Sequence, residues 1–174
     1  VWALPHVRRQ FPPRCGWQAI VFGLFGGVLW VLLCRLNLET RLLQFVGLQP
    51  GFFGARSAVD PAMVYPDATQ RIFYLAARLA LMIVAVPIAE EWMLRGCVMR
   101  AVEAEDWHRL PLDRIGQTGL FTATVYGMMS HPGEWVAAAA WFSLMTWLMV
   151  RSGRLWDCVV AHAITNAVLA GYIL

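Results

Sequence analysis

Long apolar runs separated by short polar stretches set the pattern of this chain. Residues 16–34 carry no charge over nineteen positions, enough for a helix across a hydrocarbon core of about 30 Å at about 1.5 Å per residue. Gly23, Gly26 and Gly27 lie in this run, and small residues permit close helix contact in membranes. Residues 1–14, with Arg8, Arg9 and Arg14, read as a basic juxtamembrane segment. Residues 35–70 hold Gly47, Pro50, Gly51, Gly54, Pro61 and Pro66 and charges of both signs. They predict an extramembrane loop with one short helix near residues 39–46. Residues 71 to about 102 read as one long helix. Arg78 interrupts its apolar run, and Pro87 is expected to bend it or to free a carbonyl. Residues 101–116 are polar and predict an interfacial helix or loop. Residues 117–130 are apolar but only fourteen long, short for a full span. They end at His131-Pro132-Gly133-Glu134, a turn signal. Two further apolar helices are predicted over 135–150 and 155–174, joined by a basic turn at 151–154.

The expected fold is therefore all-α: a polytopic transmembrane helical bundle of about five membrane helices. It is read as one integral membrane domain over residues 1–174, with the first transmembrane helix and the loop in 1–70 and a helical core in 71–174. Composition agrees. The chain is 59% hydrophobic and 14% charged, against about 45–50% and about 25% for soluble domains. Nine tryptophans suit the membrane–water interface. The net charge of +3 comes from arginine alone, too few and too dispersed to bind nucleic acid. The lipid bilayer is the expected surrounding. Cys15, Cys34, Cys97 and Cys158 have no metal-type spacing and read as small apolar residues. The chain begins with Val1, read as a fragment or a processed chain with helices upstream. With the N-terminus placed in the cytoplasm, nine arginines fall on the cytoplasmic side and four on the other, in keeping with the positive-inside rule.

The chemistry centres on residues 86–100, VPIAEEWMLRGCVMR. A glutamate at the centre of a bilayer costs about 2.5–3.5 kcal/mol on insertion scales, and such groups are functional by default. Adjacent helix positions diverge by about 100°, so Glu90 and Glu91 cannot share one role. Glu91 and Arg95 stand one turn apart and are expected to pair. Glu90 is then free to act as a base. His162 and Asn166 share one face of the last helix. Two readings stay open for them: interhelical hydrogen bonding, or a pair of donors to an oxyanion. His131 reads either as an interfacial residue or as a member of the site. Glu134 either orients His131 or is solvated in its turn, and Asp157 suits the first turn of the last helix. His6 and His108 receive no role.

These residues resemble the motifs of the CPBP intramembrane proteases, which include the type II CAAX prenyl endopeptidases and the bacteriocin-processing and self-immunity proteins. Glu90, Glu91 and Arg95, with Gly96 following, match EExxxR; His162 and Asn166 match HxxxN. His131 stands where the histidine of FxxxH is expected, but Gly127 occupies the aromatic position and Tyr126 is out of register. The resemblance spans about residues 71–174. The stretches SGRLWDCVVAHAITNAVL and HPGEW are more similar to the branch associated with exosortase and PEP-CTERM sorting. The resemblance implies a CAAX prenyl endopeptidase-like core in a bacterial inner membrane, with a membrane-anchored or membrane-proximal peptide as substrate. Glu90 with His131 would activate water, His162 and Asn166 would hold the oxyanion, and Glu91 and Arg95 would support them. No cofactor is favoured; in the alternative metalloprotease form, Glu90, His131 and His162 would ligate zinc. Two other functions compete. One is a non-catalytic membrane protein that binds a partner or confers bacteriocin immunity. The other is a transporter using Glu90 and Arg78, for which the chain lacks an inverted repeat.

Overall fold

The computed structural model describes residues 4–49, 52 and 60–173. Within them there is no strand, and the helices are α1 (Leu4–Gln10), α2 (Trp17–Arg35), α3 (Leu38–Phe45), α4 (Pro61–Val64), α5 (Ala68–Ala101), α6 (Gln117–Ser130), α7 (Trp135–Ser152) and α8 (Leu155–Ile173). The short helix expected near 39–46 is α3. Of the loop predicted over 35–70, Pro50, Gly51, Gly54 and Arg56 lie outside the described residues. Three helices among the described residues are long and apolar enough to cross a membrane: Trp17–Leu36, Ala68–Ala101 and Pro132–Ser152. The remaining two candidates differ in kind. α6 is fourteen residues long, and α8 carries Asp157, His162 and Asn166 along its nineteen.

Asp67 starts α5 by accepting the Gln70 N–H at 2.9 Å, an N-cap that satisfies one of the orphan donors of the first turn. The helix then runs for 34 residues, about 51 Å. Its outward face stays uncovered: Ile72, Phe73, Leu81, Val84 and Ile88 are all exposed, as lipid-facing residues are. Two π-helical turns interrupt it, Leu81–Ala85 and Leu94–Val98. Between them, the α-helical stretch Val86–Met93 carries Pro87, Glu90 and Glu91. π-Turns inside α-helices are rare and collect at functional sites.

The core forms where α2, α7 and α8 meet. The glycines of α2 let the backbones approach. A Cβ at Gly23 would meet the Ala161 carbonyl and Ile164, one at Gly26 the Trp141 indole, and one at Gly27 the side chain of Val168. Thr165 seals this seam, donating to the Gly23 carbonyl at 2.9 Å and accepting from the Trp141 indole at 3.1 Å. Gly26→Val is therefore expected to destabilise the protein by about 1–3 kcal/mol, the usual cost of overpacking. A thermal midpoint equal to that of the wild type would show that the seam is looser than these contacts imply.

One end of the bundle is fastened by polar contacts. Asp157, fully buried, accepts the Gly16 N–H at 2.7 Å and pairs with Arg154 at 2.8 Å. Arg154 also reaches Gln18 at 3.1 Å. The buried Arg100 donates to the carbonyls of Gly96, His108 and Leu110, which folds residues 104–110 back under α5. The polar stretch 101–116 is thus a loop with two 3-10 turns. Glu103 completes this end by accepting the Gly119 N–H in the first turn of α6, where a carboxylate favours the helix dipole. The turn predicted at 151–154 closes through Gly153, whose φ of +66° is in the left-handed region that favours glycine.

Candidate functional site

Glu91 is the buried anchor of the site. It is fully inaccessible, as is Arg95 one turn on. Arg95 donates to Glu91 Oε2 at 2.5 Å, and His162 Nδ1 bonds Glu91 Oε1 at 2.9 Å. One carboxylate thus joins α5 to α8, and its two oxygens hold two different partners. Arg95 extends the chain of contacts through Nη2 to the Phe142 carbonyl at 3.3 Å and lies over the Phe142 ring at 5.7 Å. The pairing of Glu91 with Arg95 follows the spacing read from the sequence. The tie to His162, 71 positions away, does not.

Glu90, on the adjacent face, is only half-buried. Its carboxylate makes no hydrogen bond or ion pair among the described residues. Tyr126 on α6 stands within electrostatic reach of both Glu90 and Glu91. The local sequence explains the contrast. Two adjacent helical positions point about 100° apart, so α8 and Arg95 claim one carboxylate while the next lies on a different face of the helix.

His131 ends α6. Its Nδ1 lies 3.2 Å from the Gly127 carbonyl and 3.0 Å from Ser130 Oγ. Donation from Nδ1 to the carbonyl leaves Nε2 with its lone pair. The depth of this residue follows from helix lengths. Gly119 packs against the Met99 carbonyl at the lower end of α5. From there α6 climbs about 18 Å to His131, and α5 runs about 12–14 Å back to Glu91 and Glu90. The two rises differ by about 4–6 Å along the helix axes. The fourteen residues of α6 rise about 21 Å, short of a hydrocarbon core of about 30 Å.

An aromatic cluster ties the two histidines together. Ring centroids lie 5.8 Å apart for His131 and Phe142, 5.0 Å for Phe142 and Trp141, and 4.6 Å for Trp141 and His162. Trp30 of α2 joins edge-on to His131 at 5.2 Å and to Trp141 at 6.2 Å. Its indole N–H donates to Glu134 Oε2 at 2.9 Å. Glu134 thus holds the indole that packs edge-on to His131, a contact that neither sequence alternative for Glu134 contained. Asn166 is half-buried, and its Nδ2 donates to the Met82 carbonyl at 2.8 Å.

A family model for Rce1-like type II CAAX prenyl endopeptidases matches residues 72–168, more than half of the chain. The chain belongs to this family. No curated protein and no solved structure matches it. The family is one of membrane proteases, and its members in general act on membrane-associated peptides. The matched stretch begins in α5 and ends in α8, so it contains Glu90, Glu91, Arg95, His131, His162 and Asn166. It excludes α2, and with it Trp30 and the glycine seam.

Within this Rce1-like core, the residues of the zinc alternative do not assemble. Among the described residues no three His, Cys, Asp or Glu side chains are grouped so that they could hold a metal ion. His162 turns Nδ1 to Glu91, and His131 turns Nδ1 to a backbone carbonyl, which leaves Nε2 of each ring clear of these contacts. The missing FxxxH aromatic has a physical counterpart. A Cβ at Gly127 would fall on the Phe142 side chain, so the bare position on α6 is filled by a ring from α7. Gly127 in that register was a signal in the sequence, but not one that named Phe142. Trp30 had no such signal, since 101 positions separate it from His131.

Proposed function

We propose that this Rce1-like protein is an intramembrane endopeptidase that cleaves a membrane-anchored or membrane-proximal peptide. A substrate carbonyl would lie between Glu90 on one side and His162 and Asn166 on the other. Glu90, assisted by His131 Nε2, takes a proton from water, and the water oxygen attacks the carbonyl carbon. Asn166 donates to the oxygen as it becomes negative, and His162 does so through Nε2 in its doubly protonated form, with Nδ1–H given to Glu91. The C–N bond then breaks, and the proton held by Glu90 passes to the leaving amine. Glu91 and Arg95 keep His162 in place. The observation that carries this reading is the unequal treatment of two adjacent glutamates. Glu91 is sealed into a buried triad with Arg95 and His162, while Glu90 beside it makes no hydrogen bond or ion pair among the described residues.

The proposed setting is a bacterial inner membrane with the N-terminus in the cytoplasm. In support, the N-terminal segment, residues 101–116 and the turn at 151–154 share one end of the bundle. Gln10 donates to the His108 carbonyl, Trp156 to the Phe11 carbonyl, and Arg154 to Gln18, which gathers the arginine-rich segments on one side. The similarity to the exosortase-associated branch makes a protein with a C-terminal membrane anchor the first substrate to try.

The test is peptide cleavage by purified protein in detergent, with Glu90→Gln beside wild type and with or without a zinc chelator. Turnover is expected to fall by at least ~1,000-fold in Glu90→Gln, by the scale of losing a catalytic base, and to survive chelation in the wild type. Cleavage retained by Glu90→Gln would overturn the assignment of the base. Loss on chelation would move the reaction to a metal. No cleavage by a folded wild-type protein would favour a partner-binding or immunity function.

A further inference from the structure

The first π-turn of α5 leaves one carbonyl without a backbone donor, and that carbonyl is the one Asn166 takes. In the π-turn Leu81–Ala85 the Val86 N–H reaches back five residues to the Leu81 carbonyl. The next bond in that register would run from residue 87 to Met82. Residue 87 is proline, which has no N–H. Val86, the α-helical partner of Met82, is already spent on Leu81. Met82 O would stand bare in an apolar helix, a costly state in a setting without water. Asn166 Nδ2 fills the place at 2.8 Å from α8.

An amide group with one hydrogen on a fixed acceptor has a fixed orientation. The Met82 carbonyl decides that Nδ2, not Oδ1, faces α5, since two carbonyl oxygens cannot bond each other. The second Nδ2 hydrogen is not used by this contact. It belongs to the same face of α8 as His162, one turn earlier. We infer that Pro87 is a positioning residue: by withholding its N–H it exposes Met82 O, which orients the Asn166 amide and presents its second N–H beside His162. This rests on the oxyanion role proposed above. The π-turn and the proline are then working parts of the site, although neither touches substrate.

The experiment is a double-mutant cycle on turnover and thermal stability, with Pro87→Ala, Asn166→Ala and the double variant. Alanine restores an N–H that can satisfy the Met82 carbonyl from within α5. Pro87→Ala is therefore expected to fold with an unchanged or higher thermal midpoint, yet to lose roughly 10- to 100-fold in kcat, the scale of a misplaced group, with KM unchanged. Asn166→Ala is expected to lose kcat by a similar or larger factor and to lower the midpoint. In the double variant the losses are not additive: Pro87→Ala costs nothing further in kcat, and Asn166→Ala no longer lowers the midpoint. Asn166→Ala with wild-type kcat would sink the oxyanion role itself. A normal kcat in Pro87→Ala, additive losses, or failure of Pro87→Ala to fold would each overturn the positioning role alone, because a restored N–H relieves the helix instead of straining it.

Discussion

Glu91→Gln is expected to destabilise the folded protein by about 3–5 kcal/mol, the scale for breaking a buried ion pair by removing one partner. In a chain of this size that is a fall in thermal midpoint of roughly 6–20 °C. Glu91 is inaccessible to solvent and holds Arg95 with one oxygen and His162 with the other. Glutamine keeps the shape and one acceptor but removes the charge. The Arg95 guanidinium is then left in the core without a carboxylate to balance it among the described residues, with neutral acceptors such as the Phe142 carbonyl and the Phe142 ring beside it. Glu90→Gln, one residue earlier, disturbs no such pair and should leave the midpoint within about 0.5 kcal/mol of wild type, as a substitution away from any partner does. Thermal unfolding of both variants in one detergent separates them. Equal midpoints would mean that Glu91 does not hold the triad together.

The second large effect concerns a glycine. Gly→Ala inside a helix ordinarily stabilises by about 1 kcal/mol. Gly127→Ala should do the reverse and cost about 1–3 kcal/mol, because the new methyl group falls on the Phe142 side chain. The damage reaches the site by two routes. The Gly127 carbonyl bonds His131 Nδ1, and the displaced Phe142 ring packs on His131 and beneath Arg95. Turnover should therefore fall further than the loss of folded protein explains. Trimming the obstacle with Phe142→Leu in the same chain is expected to recover part of the stability. A Gly127→Ala variant as stable as the wild type would show that the ring yields freely.

These two variants mark where the sequence could and could not be read. The Glu91–Arg95 pair is a local event, set by helical spacing, and so was visible in a string of letters. The same holds for the glycines of α2, the short α3, the turn at Gly153 and the half-length of α6. The partner of Glu91 on α8 and the ring that fills Gly127 are tertiary contacts, and periodicity carries no information about which helix face meets which. Asn166 lies between these cases. Interhelical bonding and oxyanion donation were both open from sequence. Its contact with Met82 O adds a reason for the bond, since Pro87 predicted a freed carbonyl but not which side chain would claim it. The roles of Glu90, His131, His162 and Asn166 in turnover remain proposals for the experiments above.

The seam between α2 and α8 also has a meaning in time. Gly16 binds Asp157, and Gly23 receives Thr165, across 141 and 142 positions of chain. Ribosomes add about 5–20 residues per second, so α2 enters the bilayer roughly 7–30 s before its partner exists. Until α7 and α8 follow, its glycine face lacks the partners it meets in the fold, Trp141 at Gly26 and Ile164 and Val168 at Gly23 and Gly27. Assembly of the site therefore waits for α8, and a nascent chain stalled before α8 would carry both glutamates with neither His162 nor Asn166 to meet them.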